Sequence, residues 1–120
     1  MLPEQQLYAE LARWIKENIA HRLLLRDIAA RFGYSQWYLN RRFMHYHGLS
    51  LGAFIRLERM KAIASELINS DRPIVDIAVS YQFESQQTLT RAFSRQYGMP
   101  PGRYRRAMRE ARASRTGEVC

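Results

Sequence analysis

Between Phe83 and Phe93 the chain reads FESQQTLTRAF, and Gln86, Gln87, Thr88, Thr90 and Arg91 crowd hydrogen-bonding groups into one short segment with little opposed charge. Gln and Thr both donate and accept, and Arg donates from a rigid fork. At helical spacing Leu89, Ala92 and Phe93 share one side, leaving Gln86, Gln87, Thr90, Arg91 and Ser94 as an outward stripe. Such a stripe suits the edges of base pairs. Arg pairs bidentately with guanine, Gln or Asn with adenine, and Thr or an aromatic edge meets a thymine methyl. A second stripe, Gln36, Trp37, Asn40, Arg41 and Met44, follows Ser35 as the first follows Ser85. Both serines read as N-caps, and a capped helix N-terminus beside DNA also offers N–H groups to phosphate.

Each residue has an ordinary reading as well. An isolated Arg is usually solvated, Trp is usually packed, and Gln or Thr is common on any helix surface. The equivalent places of Arg41 and Arg91, and the position of Trp37 within a polar stripe, favour contact with DNA. Other chemistries find no support. His45 and His47 lie two apart with no Cys or carboxylate at ligand spacing, so no metal site is expected. There is no Gly-rich phosphate loop or nucleophile elbow, and His21 has no nucleophile near it in sequence. Neither catalysis nor a cofactor is expected.

The elements that must carry these stripes are helical. Leu7, Leu11, Trp14, Ile15 and Ile19 mark a first helix behind Pro3. LLLRDIAARFGYS gives a second helix that stops at Gly33, and SQWYLNRRFMHYHG a third that stops at Gly48. A long amphipathic helix is expected over about Leu51 to Asn69, a fifth helix opening at Pro73, a sixth capped by Ser85, and a short last helix fraying into a basic tail. No segment sustains the alternation of a strand. The fold class is therefore all-α, about seven helices.

The chain also repeats. DIA at Asp27–Ala29 returns at Asp76–Ala78, and Ser35, Gln36, Leu39, Arg41, Phe43, Gly48 and Gly52 return as Ser85, Gln86, Leu89, Arg91, Phe93, Gly98 and Gly102. Two copies are too few for a solenoid and describe two helix-turn-helix subdomains joined by the long helix. The expected division is 1–50, a linker helix over 51–70, a second subdomain over 71–113, and a flexible basic tail over 114–120. A linker roughly 30 Å long compares with the 34 Å or so between successive major grooves on one DNA face. One chain with two unlike stripes would then read an asymmetric site.

Composition agrees. The 120 residues fit one domain or two small ones, and 47% apolar content is enough for a core. A formal charge of +8, with every basic residue except Lys16 and Lys61 an arginine, leans toward nucleic acid. A nonspecific or architectural nucleic-acid binder would share that charge. The Arg-rich run from Arg103 to Arg115 is expected to be solvated, with at most nonspecific attraction to phosphate. With Cys120 the only cysteine, no membrane-length apolar run, and a polar, acidic start, the expected setting is cytoplasmic and no membrane partner is expected.

The stretches GYSQWYLNRRF, SLGAFIR, RPIVDIA, FESQQTLTRAF and PPGRYR, in that order and spanning about Leu7 to Arg106, resemble the AraC/XylS family of bacterial transcription regulators, most closely its small single-domain members. The resemblance implies two helix-turn-helix subdomains around a central helix, monomeric binding to asymmetric promoter DNA, and activation through contact with RNA polymerase. It also implies control of stress and multidrug-tolerance genes. Carried over by position, the DNA-reading residues are Trp37, Asn40 and Arg41 in the first subdomain and Gln86, Gln87, Thr88, Thr90 and Arg91 in the second. This chain departs from its close relatives at Gln36, where Lys is usual, and at Asn40, where Gln is. It departs again at Arg42, usually apolar, and at Gln82, where Gly is common. No length remains for a separate effector-binding domain, so activity is expected to follow protein level and not a small-molecule effector.

Overall fold

In the computed structural model, which describes the backbone of residues 3–119 and side chains through Arg115, seven helices follow one another with no strand among the described residues. They are α1 (Glu4–Glu17), α2 (Leu25–Phe32), α3 (Gln36–His47), α4 (Leu51–Asn69), α5 (Ile74–Ser80), α6 (Gln86–Tyr97) and α7 (Pro101–Val119). The chain divides into two compact units, Met1–Arg59 and Met60–Cys120, and the division falls inside α4. The long helix thus gives its first part to one core and its remainder to the other.

The first unit is built on the apolar faces read from the sequence. Leu7, Tyr8, Leu11 and Ile15 of α1, Ile28 and Ala29 of α2, Leu39 and Phe43 of α3, and Leu51, Phe54 and Ile55 of α4 are all buried. Phe43 is the centre: the rings of Tyr8 at 6.4 Å and Phe54 at 5.1 Å meet it edge to face, and His47 stacks on it at 4.3 Å. The second unit repeats the device. Met60, Ile63, Ala64 and Leu67 of α4 pack with Ile77, Ala78, Leu89 and Phe93. Phe93 takes a stacked Tyr97 at 4.5 Å and an edge-to-face Tyr104 at 5.1 Å. Tyr97 and Tyr104 stand where His47 and Phe54 stand in the first unit, so the repeat extends to aromatic positions of differing residue type.

Local signals end the helices as their chemistry requires. Gly33, Gly48 and Gly98 occupy the left-handed region after α2, α3 and α6. In the first helix-turn-helix, Gly33 N–H donates to Ala30 O at 3.2 Å and Tyr34 N–H to Ala29 O at 2.9 Å. In the second, Gln82 N–H donates to Val79 O at 3.1 Å and Phe83 N–H to Ala78 O at 2.9 Å. Gln82 is the one described non-glycine residue with positive φ, +70°. The turn therefore imposes its geometry whichever residue fills it.

Two expectations about helix ends are corrected. Pro73 is the cap of α5, not its first residue, with its carbonyl accepting from Asp76 and Ile77 N–H. The last helix is not short: α7 runs from Pro101 to Val119, as long as α4, and takes in 114–119, which the sequence reading assigned to a tail.

Candidate nucleic-acid interface

Ser35 and Ser85 hold the starts of the two stripe-bearing helices. Tyr38 N–H donates to Ser35 Oγ at 3.2 Å, and Thr88 N–H donates to Ser85 Oγ at 3.1 Å. Each satisfies one of the four donors a helix start leaves unpaired. The Thr88 hydroxyl also lies 3.0 Å from Ser85 Oγ, so Thr88 belongs partly to the cap.

Beyond the caps, Gln36, Trp37 and Arg41 of α3 and Gln86, Gln87, Thr88 and Arg91 of α6 are exposed, while Leu39, Phe43, Leu89 and Phe93 anchor the opposite sides. Trp37 is 68% exposed, which removes the packing alternative for it. The Arg41 guanidinium lies 5.1 Å from the centre of the Trp37 ring, a cation–π contact across one helical turn. That pairing aligns the two side chains on one exposed face, a feature the sequence spacing permits but the separate assignments of Trp37 and Arg41 missed. Tyr34 and Tyr38, outside the predicted set, stack at 5.6 Å beside this helix start.

Asn40 and Thr90, equivalent positions, are each half-buried. Asn40 Oδ1 accepts from Leu51 N–H at 2.8 Å, tying α3 to the first residue of α4. The expected outward stripe thus includes one residue whose acceptor is turned inward.

Arg42 finds its partners in α1. Its Nε donates to Glu4 Oε1 at 2.6 Å, its Nη2 pairs with the same carboxylate, and Tyr46 Oη donates to Glu4 Oε2 at 3.2 Å. The Arg42 hydrogen bond holds the Glu4 carboxyl below its ordinary range, and the same bond raises the arginine further. Helix α3 is thereby latched to the first turn of α1, a contact between distant positions that no local pattern reveals.

The basic run of α7 is not simply solvated. Arg105 Nε donates to Leu67 O at 2.9 Å, and Arg109 donates to Ile68 O at 3.3 Å, to Ser70 O, and to Asp71 Oδ1 at 2.8 Å. Arg112 donates to Asn69 Oδ1 at 2.9 Å. These arginines close the carbonyl end of α4, where cations are favoured. Arg59 does the same in the first unit, donating to Ile19 O at 3.2 Å and His21 O at 3.0 Å; its burial lowers its pKa. Arg103, Arg106 and Arg115 are exposed.

Among the described residues no group of three or more His, Cys, Asp or Glu is placed to hold a metal, and no helix is long and apolar enough to cross a membrane. Two capped, stripe-bearing helices, each second in a helix-turn-helix, define the class as a double helix-turn-helix DNA-binding protein.

A family model described as a helix-turn-helix domain matches residues 28–107. The chain is 46% identical over 92 residues to the multiple antibiotic resistance protein MarA of Escherichia coli K12, covering 77% of this chain and 72% of that one. It is 43% identical over 98 residues to the right origin-binding protein of the same organism, covering 82% of this chain but only 34% of the relative's length. Among solved structures, the DNA-binding domain of the global transcriptional factor AdpA, crystallised with a target DNA, matches with a TM-score of 0.81 at 28% identity, covering 88% of this chain and 96% of that one. The chain belongs to the AraC/XylS family of helix-turn-helix transcriptional regulators.

Proposed function

We propose that this protein binds an asymmetric promoter site as a monomer, with α3 and α6 entering successive major grooves, and acts mainly as an activator by recruiting RNA polymerase. The observation that carries the reading is the pair of capped helices with exposed but unlike stripes, Gln36, Trp37 and Arg41 in one and Gln86, Gln87, Thr88 and Arg91 in the other. Unlike stripes on one chain need no palindrome. Similarity to a protein named for multiple antibiotic resistance supports a role in drug- and stress-tolerance genes. The reading places the protein in the bacterial cytoplasm, on the nucleoid when bound.

Selection of bound duplexes from a randomised pool at near-physiological salt tests it. Enrichment of two unlike blocks about one helical turn apart is the expected result. Uniform affinity for all sequences would replace the proposal with a nonspecific or architectural binder, which the +8 charge alone would also serve.

A further inference from the structure

The two units match at one constant spacing from the cap of each stripe-bearing helix onward: Ser35 with Ser85, Asn40 with Thr90, Phe43 with Phe93, Gly48 with Gly98 and Arg59 with Arg109. At that spacing Leu51, the first residue of α4, stands opposite Pro101, the first residue of α7. The pair differs in one chemically decisive respect. Leu51 carries an N–H; Pro101 has none.

A first-turn N–H has no partner within its own helix, and Leu51 is 1% exposed, so solvent does not satisfy it either. Ser50 serves the positions that follow, its Oγ accepting from Ala53 N–H at 3.1 Å and its carbonyl from Phe54 N–H at 2.9 Å. The Leu51 N–H is met by Asn40 Oδ1 at 2.8 Å. Because the partner is a donor, the orientation of the Asn40 amide is fixed, oxygen toward α4 and NH2 away. In the second unit Pro101 makes no such demand on Thr90.

We infer that Asn40 is a positioning residue that sets α3 against α4, and that base reading in the first unit falls to Gln36, Trp37 and Arg41. Bidentate recognition of adenine requires the Asn oxygen to accept from the base while the NH2 donates to it. With the oxygen turned toward Leu51, Asn40 does not present its oxygen and its NH2 together to one adenine, and the bidentate pattern is closed to it. The second unit, relieved of this bond by a proline, keeps Thr90 beside Gln86, Gln87 and Arg91. This inference rests on the proposed DNA reading.

Two variants of the full chain, Asn40→Ala and Asn40→Asp, test it, each read by amide exchange at Leu51 without DNA and by pool selection. Asn40→Ala is expected to speed Leu51 exchange about five- to tenfold and to weaken all enriched sequences alike, with the base preferred at every position unchanged. Asn40→Asp, which keeps the acceptor and loses the NH2, is expected to retain the protection of Leu51. Relaxed preference at one base pair of the first block in Asn40→Ala, with Leu51 exchange as in the wild type, would make Asn40 a reader and overturn the assignment. A wild-type chain that enriches no sequence at all would instead overturn the proposed DNA reading, while Leu51 exchange in the two variants would still decide whether Asn40 positions α3.

Discussion

The Glu4 carboxylate accepts from Arg42 and Tyr46 on α3, and the Arg42 bond depresses its folded pKa. A carboxyl depressed on folding stabilises the protein above its unfolded value, near 4.3, and loses that contribution as pH falls through the lower folded value. Glu4→Gln should therefore melt below wild type at neutral pH, and the difference should shrink to nothing on acidification through pH 4 and below, as followed by thermal denaturation across a pH series. Arg91 offers the corresponding test of reading. It is exposed on α6, and Arg91→Ala should cost about 1–3 kcal/mol on the selected site and relax preference at one position. Fluorescence anisotropy on matched and mismatched duplexes measures both. The same change should leave the melting temperature nearly unmoved, since surface substitutions are usually within about 0.5 kcal/mol.

At the scale of elements, both helix-turn-helix turns make the same two backbone bonds, yet one holds Gly33 at φ +79° and the other Gln82 at +70°. A side chain in the left-handed region costs about 1–2 kcal/mol, against an unfolded-state entropy cost for Gly of roughly 0.5–1 kcal/mol. Gln82→Gly should stabilise the second unit by about 0.5–1 kcal/mol, measured by urea denaturation with an unchanged m-value. The arginines of α7 separate in a similar way. Arg109 closes the end of α4 through Ile68 O and Ser70 O, whereas Arg106 is exposed. Arg109→Ala should lower stability by about 1.5–3 kcal/mol, while Arg106→Ala should leave the melting transition in place. Melting both variants side by side would show whether the basic run is structural at one position and solvated at the other.

Across the whole molecule, α4 and α7 are equivalent helices of equal length with different fates. The latter half of α4 carries Met60, Ile63, Ala64 and Leu67 into the second core. The equivalent positions in the α7 segment are Glu110, Ala113, Ser114 and Gly117, none of them a large apolar residue. The stripe with which α4 enters the second core thus has no counterpart in α7. The molecule's charge belongs to this scale too. If the +8 formal charge serves DNA binding, log affinity should fall linearly with log salt, each neutralised phosphate contributing about 0.9 to the slope. An arginine variant that removes one phosphate contact should lower that slope by about 1, measured by titration at several salt concentrations.

Legible in the sequence were the seven helices as elements, though not the start of α5 or the length of α7, together with both Ser caps, the glycine stops and the stripes around Leu39, Phe43, Leu89 and Phe93. All of these follow from interactions within one or two helical turns, where spacing is geometry. The internal repeat and the family were legible for the same reason: they are linear patterns. What the polar residues do once helices meet was set by the tertiary fold. It turned Asn40 toward Leu51, gave Arg42 to Glu4, and committed Arg105, Arg109 and Arg112 to the end of α4. A long polar side chain can reach a base, a carboxylate or a carbonyl with equal chemical ease. The choice depends on which unpaired group the fold brings within about 3 Å, and that is fixed by contacts between residues far apart in the chain.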